Sequence, residues 1–138
     1  MKSRFGIRRS LALASTLAAA CIALAPGPAA AQQATLQGSW SGSGTVRYSS
    51  GATESARCNA RFSQRSGDNF SMNAVCASAS GRVVQTGELS RVSATRFVGE
   101  FNNPQYGITG SITISVRGSS LTASLSGGGG SAQFNLSR

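Results

Sequence analysis

The chain has 138 residues, with 13 Lys or Arg against four Asp or Glu, 17 glycines and no histidine. The length limits the protein to one small domain, and the lack of histidine excludes Ser-His-Asp and Cys-His catalysis and the common histidine-containing zinc sites. The net charge is +9, of which +4 lies in the first nine residues. The part that follows a predicted export signal has nine arginines, no lysine and four carboxylates, which gives +5.

Residues 1–31 have the three parts of a signal peptide. Residues 1–9 are basic, residues 11–24 form an apolar run, and residues 26–31 are small residues with two prolines. The sequence therefore predicts cleavage after Ala31. The apolar run is shorter than the roughly 20 residues needed to cross a bilayer, so we expect a protein that does not span a membrane. The predicted location is the periplasm or the exterior of a bacterial cell.

Cys21 raises the alternative of a lipoprotein, because a cysteine after small residues can be a lipid-attachment site. The three preceding residues are all alanine, without the leucine that usually precedes such a cysteine by three positions. We therefore prefer a soluble exported protein.

The remaining chain divides into a short flexible lead, residues 32–37, and a β-barrel domain, residues 38–138. Apolar and polar residues alternate through the domain in eight stretches separated by short Gly, Ser and Asn turns, which predicts eight strands. The clearest alternation runs from Ile108 to Arg117. In the fourth stretch Val83 and Val84 are both apolar, so its two faces cannot be assigned.

A hairpin closed by a disulfide is predicted between Cys58 and Cys76. With the turn centred on Gly67, these cysteines lie directly opposite each other, at a Cα distance of roughly 4.5–5.5 Å that a disulfide can span. An even pair of cysteines in an exported chain fits an oxidising compartment.

Eight consecutive strands with one apolar face each predict an all-β fold. We expect a single small antiparallel eight-stranded up-and-down barrel, with a β-sandwich as the alternative, because short turns favour pairing between neighbouring strands. The outward residues are Ser, Thr and Arg, which argues against contact with lipid.

Four arginines form the first candidate site. Arg57, Arg61 and Arg65 recur on the outer side of the disulfide hairpin, with Arg47 on the preceding strand. Such a face is suited to phosphate or carboxylate groups of an anionic envelope component. The alternative is a solvated face that keeps the protein soluble.

A second candidate site is a pocket near Trp40 and Tyr48, because small inward residues crowd the first three predicted strands. They could equally pack against larger residues or allow tight coiling of the barrel. Closure of the barrel would bring Arg138 over the indole of Trp40.

Enzymatic chemistry has little support in this sequence. The four carboxylates do not cluster, so we predict no catalytic residues, no metal site and no cofactor. Residues 127–130 are all glycine, but a strand rather than a helix follows them, so they form a turn and not a phosphate-binding loop. Nucleic acid is not an expected partner, because the aromatic residues point away from the arginines.

The start Gly38-Ser-Trp40, with Arg138 at the end, resembles lipocalin-like and avidin-like barrels. It is also similar to periplasmic inhibitors of bacterial metalloproteases, which share an early Gly-x-Trp, one disulfide and an eight-stranded barrel. Those inhibitors insert a short N-terminal segment into the protease, a role that would fall here to residues 32–37, which do not match the small polar start of the inhibitors. The segments 38–46, 50–54, 57–62 and 76–80 look like an uncharacterised family of small secreted bacterial proteins, which implies an exported disulfide-containing domain.

Together these features predict a non-enzymatic binding or interaction protein of the cell envelope. The alternatives are a periplasmic protease inhibitor and a lipocalin-like barrel that binds a small molecule. A hydrolase that uses Ser and Glu residues is the least favoured class. The oligomeric state does not follow from the sequence.

Overall fold

The structure is a computed structural model that describes residues 25–27 and 33–138. Apart from residues 25–27, the predicted signal peptide lies outside the described residues. The same holds for Cys21 and for the predicted cleavage site after Ala31. The chain divides into Met1–Ala30 and Ala31–Arg138, and the fold belongs to the second of these units. In the part that the structure describes, no helix has the length and apolarity needed to cross a membrane.

The fold consists of eight β-strands joined by short turns. Glycines with positive φ occupy several of these turns, such as Gly67 at φ 52° between the second and third strands, a backbone conformation that other residues rarely adopt. The strands are β1 (Gly38–Tyr48), β2 (Thr53–Ser66), β3 (Asn69–Ser78), β4 (Gly81–Arg91), β5 (Arg96–Asn103), β6 (Ile108–Arg117), β7 (Ser120–Gly127) and β8 (Gly130–Ser137).

The strands form a closed barrel in which each strand pairs with its neighbour in sequence. All pairs are antiparallel, including the pair between β8 and β1 that closes the barrel, for example Phe134 opposite Gly44. This confirms the prediction of an up-and-down barrel and excludes the sandwich, in which two sheets would have open edges.

Inward and outward residues alternate along the strands, as the period of a strand requires. In β2, for example, Ala56, Cys58, Ala60 and Phe62 are buried, and the residues between them are exposed. In β4 the alternation places Val83 inward and Val84 outward, which settles the faces that the sequence left undetermined.

The disulfide hairpin has the predicted register. Cys58 pairs with Cys76, their Cα atoms are 4.1 Å apart, and the two side chains form a disulfide. The register shifts by one residue between Gln64 and Ser66, so Arg65 lies in a β-bulge next to the turn.

Because successive strands run in opposite directions, the turns alternate between two ends of the barrel. We call the end with the β2–β3, β4–β5 and β6–β7 turns the closed end, and the end with the other four turns the open end. At the closed end, Phe70 and Phe97 meet edge to face at 5.3 Å between ring centres. Trp40 and Phe62 are also fully buried near this end.

Residues 33–37 differ from the expected flexible lead, because they lie against the closed end. Leu36 is 0% exposed. Its carbonyl accepts a hydrogen bond of 2.9 Å from the indole Nε1 of Trp40, and the amide of Ala34 donates to the carbonyl of Ala94 at 2.8 Å. These residues have no strand period, but one large apolar side chain among them is enough to anchor the segment over the core.

Candidate functional site

The open end contains a cavity of about 370 Å³. This volume lies within the range of roughly 300–1,000 Å³ typical of small-molecule sites. The walls are mainly apolar side chains and glycines. The inward residues of the wall include Val46, Tyr48, Val83, Gln85, Phe101 and Asn103. A second cavity of about 20 Å³ lies deeper in the barrel, and Gln85 lines both.

The cavity arises because residue size differs between the two ends of the barrel. Large aromatic side chains fill the closed end, whereas at the open end small residues such as Ala56, Gly127 and Ala132 lie between the aromatic side chains of the wall. Eight strands give an interior that side chains can just fill, so small inward residues leave space for a ligand.

Gly42 and Gly44 do not create this space, although both face inward. A Cβ atom at Gly44 would overlap the carbonyl oxygen of Gln133, and one at Gly42 would overlap that of Asn135. These glycines instead allow β1 to approach β8 closely. This agrees with the alternative that small inward residues allow tight coiling of the barrel.

Trp40 does not line the cavity, so that part of the predicted pocket is wrong. Tyr48 does line it. The two residues are eight positions apart on β1, and an antiparallel strand rises about 3.4 Å per residue, so they lie at opposite ends of the barrel.

Arg138 contacts Trp40 as the sequence predicts. The guanidinium carbon of Arg138 is 4.3 Å from the centre of the Trp40 ring, and Nη1 donates a hydrogen bond of 3.0 Å to the carbonyl of Gln37. The contact therefore belongs to the closed end and stabilises the docked N-terminal segment.

The mouth of the cavity carries a cluster of polar side chains around Glu54. The carboxylate accepts hydrogen bonds from the hydroxyls of Tyr48 at 2.9 Å, Ser78 at 3.0 Å and Ser80. Strand period explains the cluster, because these residues occupy inward positions at the open ends of β1, β2 and β3 or in the adjoining turn.

The hydrogen bonds at this cluster shift the pKa values of two groups. Those from Ser80, Tyr48 and Ser78 stabilise the ionised carboxylate and hold the pKa of Glu54 below its ordinary value of 4.5. The bond to Glu54 stabilises the protonated phenol and raises the pKa of Tyr48 above 10.0. Glu54 is therefore an anion at neutral pH.

Asn103 is the most deeply buried polar side chain of the cavity wall, with 4% of its surface exposed. Its Oδ1 accepts a hydrogen bond of 3.4 Å from the amide of Tyr106, in the turn between β5 and β6. Among the described residues, no other group is hydrogen-bonded to its side chain. Because the oxygen faces the turn, the amide nitrogen is left for the cavity.

The four arginines of the first candidate site are all exposed, but they do not form one cluster. Arg57 lies opposite Ser43, whereas Arg47 lies opposite Thr53. Arg47 is therefore four residues, or about 13 Å, along the strand from the position facing Arg57, and the expectation that Arg47 adjoins this row is wrong. Arg57, Arg61 and Arg65 are spaced by the same distance along β2.

Arg91 anchors the closed end and was not predicted from the sequence. Its guanidinium carbon is 4.5 Å from the ring centre of Phe97, and its nitrogens donate to the carbonyls of Ala94 at 3.1 Å and Ala34 at 2.9 Å. Its Nε is 3.4 Å from an oxygen of Asp68. The only feature of the sequence that could have indicated this role is the inward position of Arg91 at the end of β4.

Glu54, Gln85 and Asn103 were likewise not predicted as site residues. The feature of the sequence that could have indicated them is a polar residue at an inward position of an otherwise apolar strand face. Over residues 25–27 and 33–138, no group of three or more His, Cys, Asp or Glu side chains is arranged to hold a metal ion.

Comparison with known proteins gives a similarity of fold. No protein-family model and no curated protein sequence matches the chain. The chain is similar to the redesigned β-barrel mFAP1, solved bound to DFHBI, with a TM-score of 0.64 and 17% identity over 75% of this chain and 94% of that one. It is also similar to a de novo designed fluorescence-activating β-barrel, with a TM-score of 0.58 and 19% identity over 74% of this chain and 92% of that one.

Proposed function

We propose that this protein is an exported, non-enzymatic binding protein that holds a small, mostly apolar ligand in the cavity at the open end of the barrel. The observation that carries the proposal is the cavity of about 370 Å³, which has apolar walls, an open mouth and a small number of inward polar groups. This combination is typical of sites that bind small molecules.

The fold supports the proposal in a general way. Designed barrels of the same architecture, such as mFAP1 and mFAP0, were solved bound to the small molecule DFHBI. A barrel of this architecture can therefore bind a compact small molecule. The basic start and apolar run of the first 31 residues support export to the periplasm or cell exterior.

The other two functions have less support. An inhibitor that inserts its N-terminal segment into a protease would first have to detach residues 33–37 from Trp40, Arg91 and Arg138. An arginine face for an anionic envelope component would act through residues about 13 Å apart, which suits separate phosphates better than one bidentate ligand.

The test uses the fluorescent probe N-phenyl-1-naphthylamine and two neighbouring valines of β4. Val83 faces the cavity, and Val84 is 40% exposed on the outer face. Val83→Trp places a large side chain in the cavity, whereas Val84→Trp makes the same chemical change outside it.

We expect saturable enhancement of probe fluorescence with the wild-type protein and with Val84→Trp, and a loss of at least about tenfold in affinity with Val83→Trp. Circular dichroism confirms that both variants are folded. Equal binding by all three proteins, or none by the wild-type protein, would contradict a ligand site in the cavity.

A further inference from the structure

The polar groups on the cavity wall indicate which ligands the cavity accepts. Two amide side chains, Asn103 and Gln85, interrupt the apolar lining. Asn103 lies near the mouth at the end of β5, and Gln85 lies deeper, at the boundary with the small inner cavity. Because strands position them, these groups are held in place before a ligand arrives.

Asn103 presents hydrogen-bond donors to the cavity that have no protein partner. Its Oδ1 is used by the amide of Tyr106, and this bond fixes which end of the side-chain amide faces the turn. Its Nδ2 makes no hydrogen bond to any of the described residues, although only 4% of the surface of Asn103 is exposed. Nδ2 is not among the fully buried side-chain atoms that lack a partner, so it remains accessible from the cavity, and a ligand that supplies an acceptor forms a hydrogen bond with it there.

The charges around the cavity disfavour an anionic ligand. Arg47 is the one cationic residue among those that line the cavity, and it occupies an outward, exposed position of β1. At the mouth, Glu54 carries a negative charge. A carboxylate ligand would therefore lose its hydration without gaining a cation, and it would also be repelled at the entrance.

A cationic ligand is not favoured either, despite Glu54. The carboxylate already accepts three hydrogen bonds from Tyr48, Ser78 and Ser80. These bonds occupy most of the roughly four lone-pair sites of a carboxylate, so an ammonium group would have to displace one of them. We assign Glu54 the role of a positioning residue that fixes the hydroxyls at the mouth.

We propose that the cavity selects uncharged, mostly apolar molecules that carry a carbonyl oxygen, and that Asn103 Nδ2 donates a hydrogen bond to this oxygen. The proposal rests on the proposed binding function and adds the chemical class of the ligand. It makes Asn103 the residue that determines specificity, while the apolar walls supply most of the affinity.

The test compares four naphthalene derivatives of similar size: 2-acetylnaphthalene, 2-ethylnaphthalene, 2-naphthoate and 2-naphthylmethylamine. Binding to the full chain is measured at pH 7 by equilibrium dialysis. We expect 2-acetylnaphthalene to bind about fivefold more tightly than 2-ethylnaphthalene, as one neutral hydrogen bond predicts, and about tenfold or more tightly than 2-naphthoate.

Variants at two adjacent asparagines separate recognition from folding. Asn103→Leu should remove the advantage of the ketone, a loss of about fivefold, and should leave binding of 2-ethylnaphthalene nearly unchanged. Asn102→Leu, on the outer face of the same strand, is the matched control and should change neither. Asn103→Asp keeps an oxygen for the amide of Tyr106 but has no Nδ2 donor, so it should also lose the ketone preference.

The outcomes distinguish this inference from the function on which it rests. If none of the four compounds binds and the naphthylamine probe also fails, the proposed function is wrong. If the compounds bind but the wild-type protein prefers the hydrocarbon, the acid or the amine, the cavity is a ligand site and the carbonyl proposal is overturned. A ketone preference that persists in both Asn103 variants would also overturn it.

Discussion

The guanidinium group of Arg138 lies over the indole ring of Trp40, with 4.3 Å between the guanidinium carbon and the ring centre. Arg138 is the last residue of the sequence, and Trp40 lies in β1. Their contact thus joins the two ends of the domain at the point where the barrel closes. The same arginine holds the carbonyl of Gln37, so one side chain links the C-terminus, β1 and the N-terminal segment.

Arg138→Ala should lower the stability of the barrel. A cation–π contact at an exposed arginine contributes about 0.5–1 kcal/mol, and a loss of about 1 kcal/mol lowers Tm by roughly 4–8 °C in a domain of this size. Thermal unfolding followed by circular dichroism measures the change. Arg117→Ala, on the exposed end of β6, is the control. An unchanged Tm for Arg138→Ala would show that the contact contributes nothing to stability.

Arg91→Ala should release residues 33–37 from the closed end. It removes two hydrogen bonds of a charged donor and the contact with Phe97, which together predicts a loss of about 2–4 kcal/mol in the free energy of unfolding. Hydrogen exchange of the Ala34 amide, followed by NMR, should become faster by a larger factor than exchange in β6. Equal acceleration throughout the barrel would indicate global destabilisation instead.

The disulfide should contribute a large share of the stability. A bridge with a sequence separation of 18 residues contributes about 3 kcal/mol in the loop-entropy model. In a Cys21→Ser chain we expect no reactive thiol before reduction and two afterwards, with a clear fall in Tm on reduction. Two reactive thiols in the oxidised protein would contradict the bridge between Cys58 and Cys76.

Glu54 should make stability depend on acid pH. Its pKa is lower in the folded protein than its ordinary value of 4.5, chiefly because of the hydrogen bond from Ser80. The stabilisation from the carboxylate is therefore fully present above about pH 4.5 and is lost as the pH falls through the lower folded pKa.

The pH dependence of stability is measured by comparing the wild-type protein with Glu54→Gln. The difference in Tm between wild-type and variant should be present at pH 7 and should shrink below about pH 4.5. In the same variant, titration of the phenols by absorbance should show a lower pKa for Tyr48, because the hydrogen bond to the Glu54 carboxylate, which chiefly raises this pKa, has been removed. A constant difference in Tm across the pH range would be inconsistent with this role of Glu54.

Two like charges face each other on the outside of the barrel. Glu88 of β4 lies directly opposite Glu100 of β5. Like charges at opposed positions are destabilising, so Glu88→Arg should raise the stability by about 0.5–1 kcal/mol. Glu88→Gln should give a smaller gain, and added salt should reduce both gains. A decrease in Tm for Glu88→Arg at low salt would contradict the expected repulsion.

Local patterns were sufficient to predict much of the fold. The alternation from Ile108 to Arg117 predicts β6 without exception, and the position of Gly67 predicts that Cys58 lies opposite Cys76. Both predictions depend on the period of a strand and on turn geometry, which are properties of neighbouring residues.

The candidate site was harder to predict, because it depends on which strand ends come together. Glu54, Ser78 and Ser80 carry no shared motif, and they meet only because β2 and β3 pair and their inward faces reach the same end of the barrel. The spacing between Arg47 and Arg57 depended in the same way on the register of β1 with β2. The register of a hairpin depends on the length and type of its turn as well as on the hydrophobic pattern of both strands, so the sequence of one strand does not reveal it.

The amino-acid sequence by itself determined the class of the fold, the number of strands, the inward and outward faces of most strands and the paired cysteines, since each depends on short-range periodicity or on a single hairpin. Only the tertiary structure decided that large side chains fill one end of the barrel while small ones leave a cavity at the other. It also decided that Asn103 and Gln85 face this cavity and that residues 33–37 cover the closed end. These features arise from the stagger of eight strands around a closed ring, which places residues that are distant in the chain at the same height in the barrel.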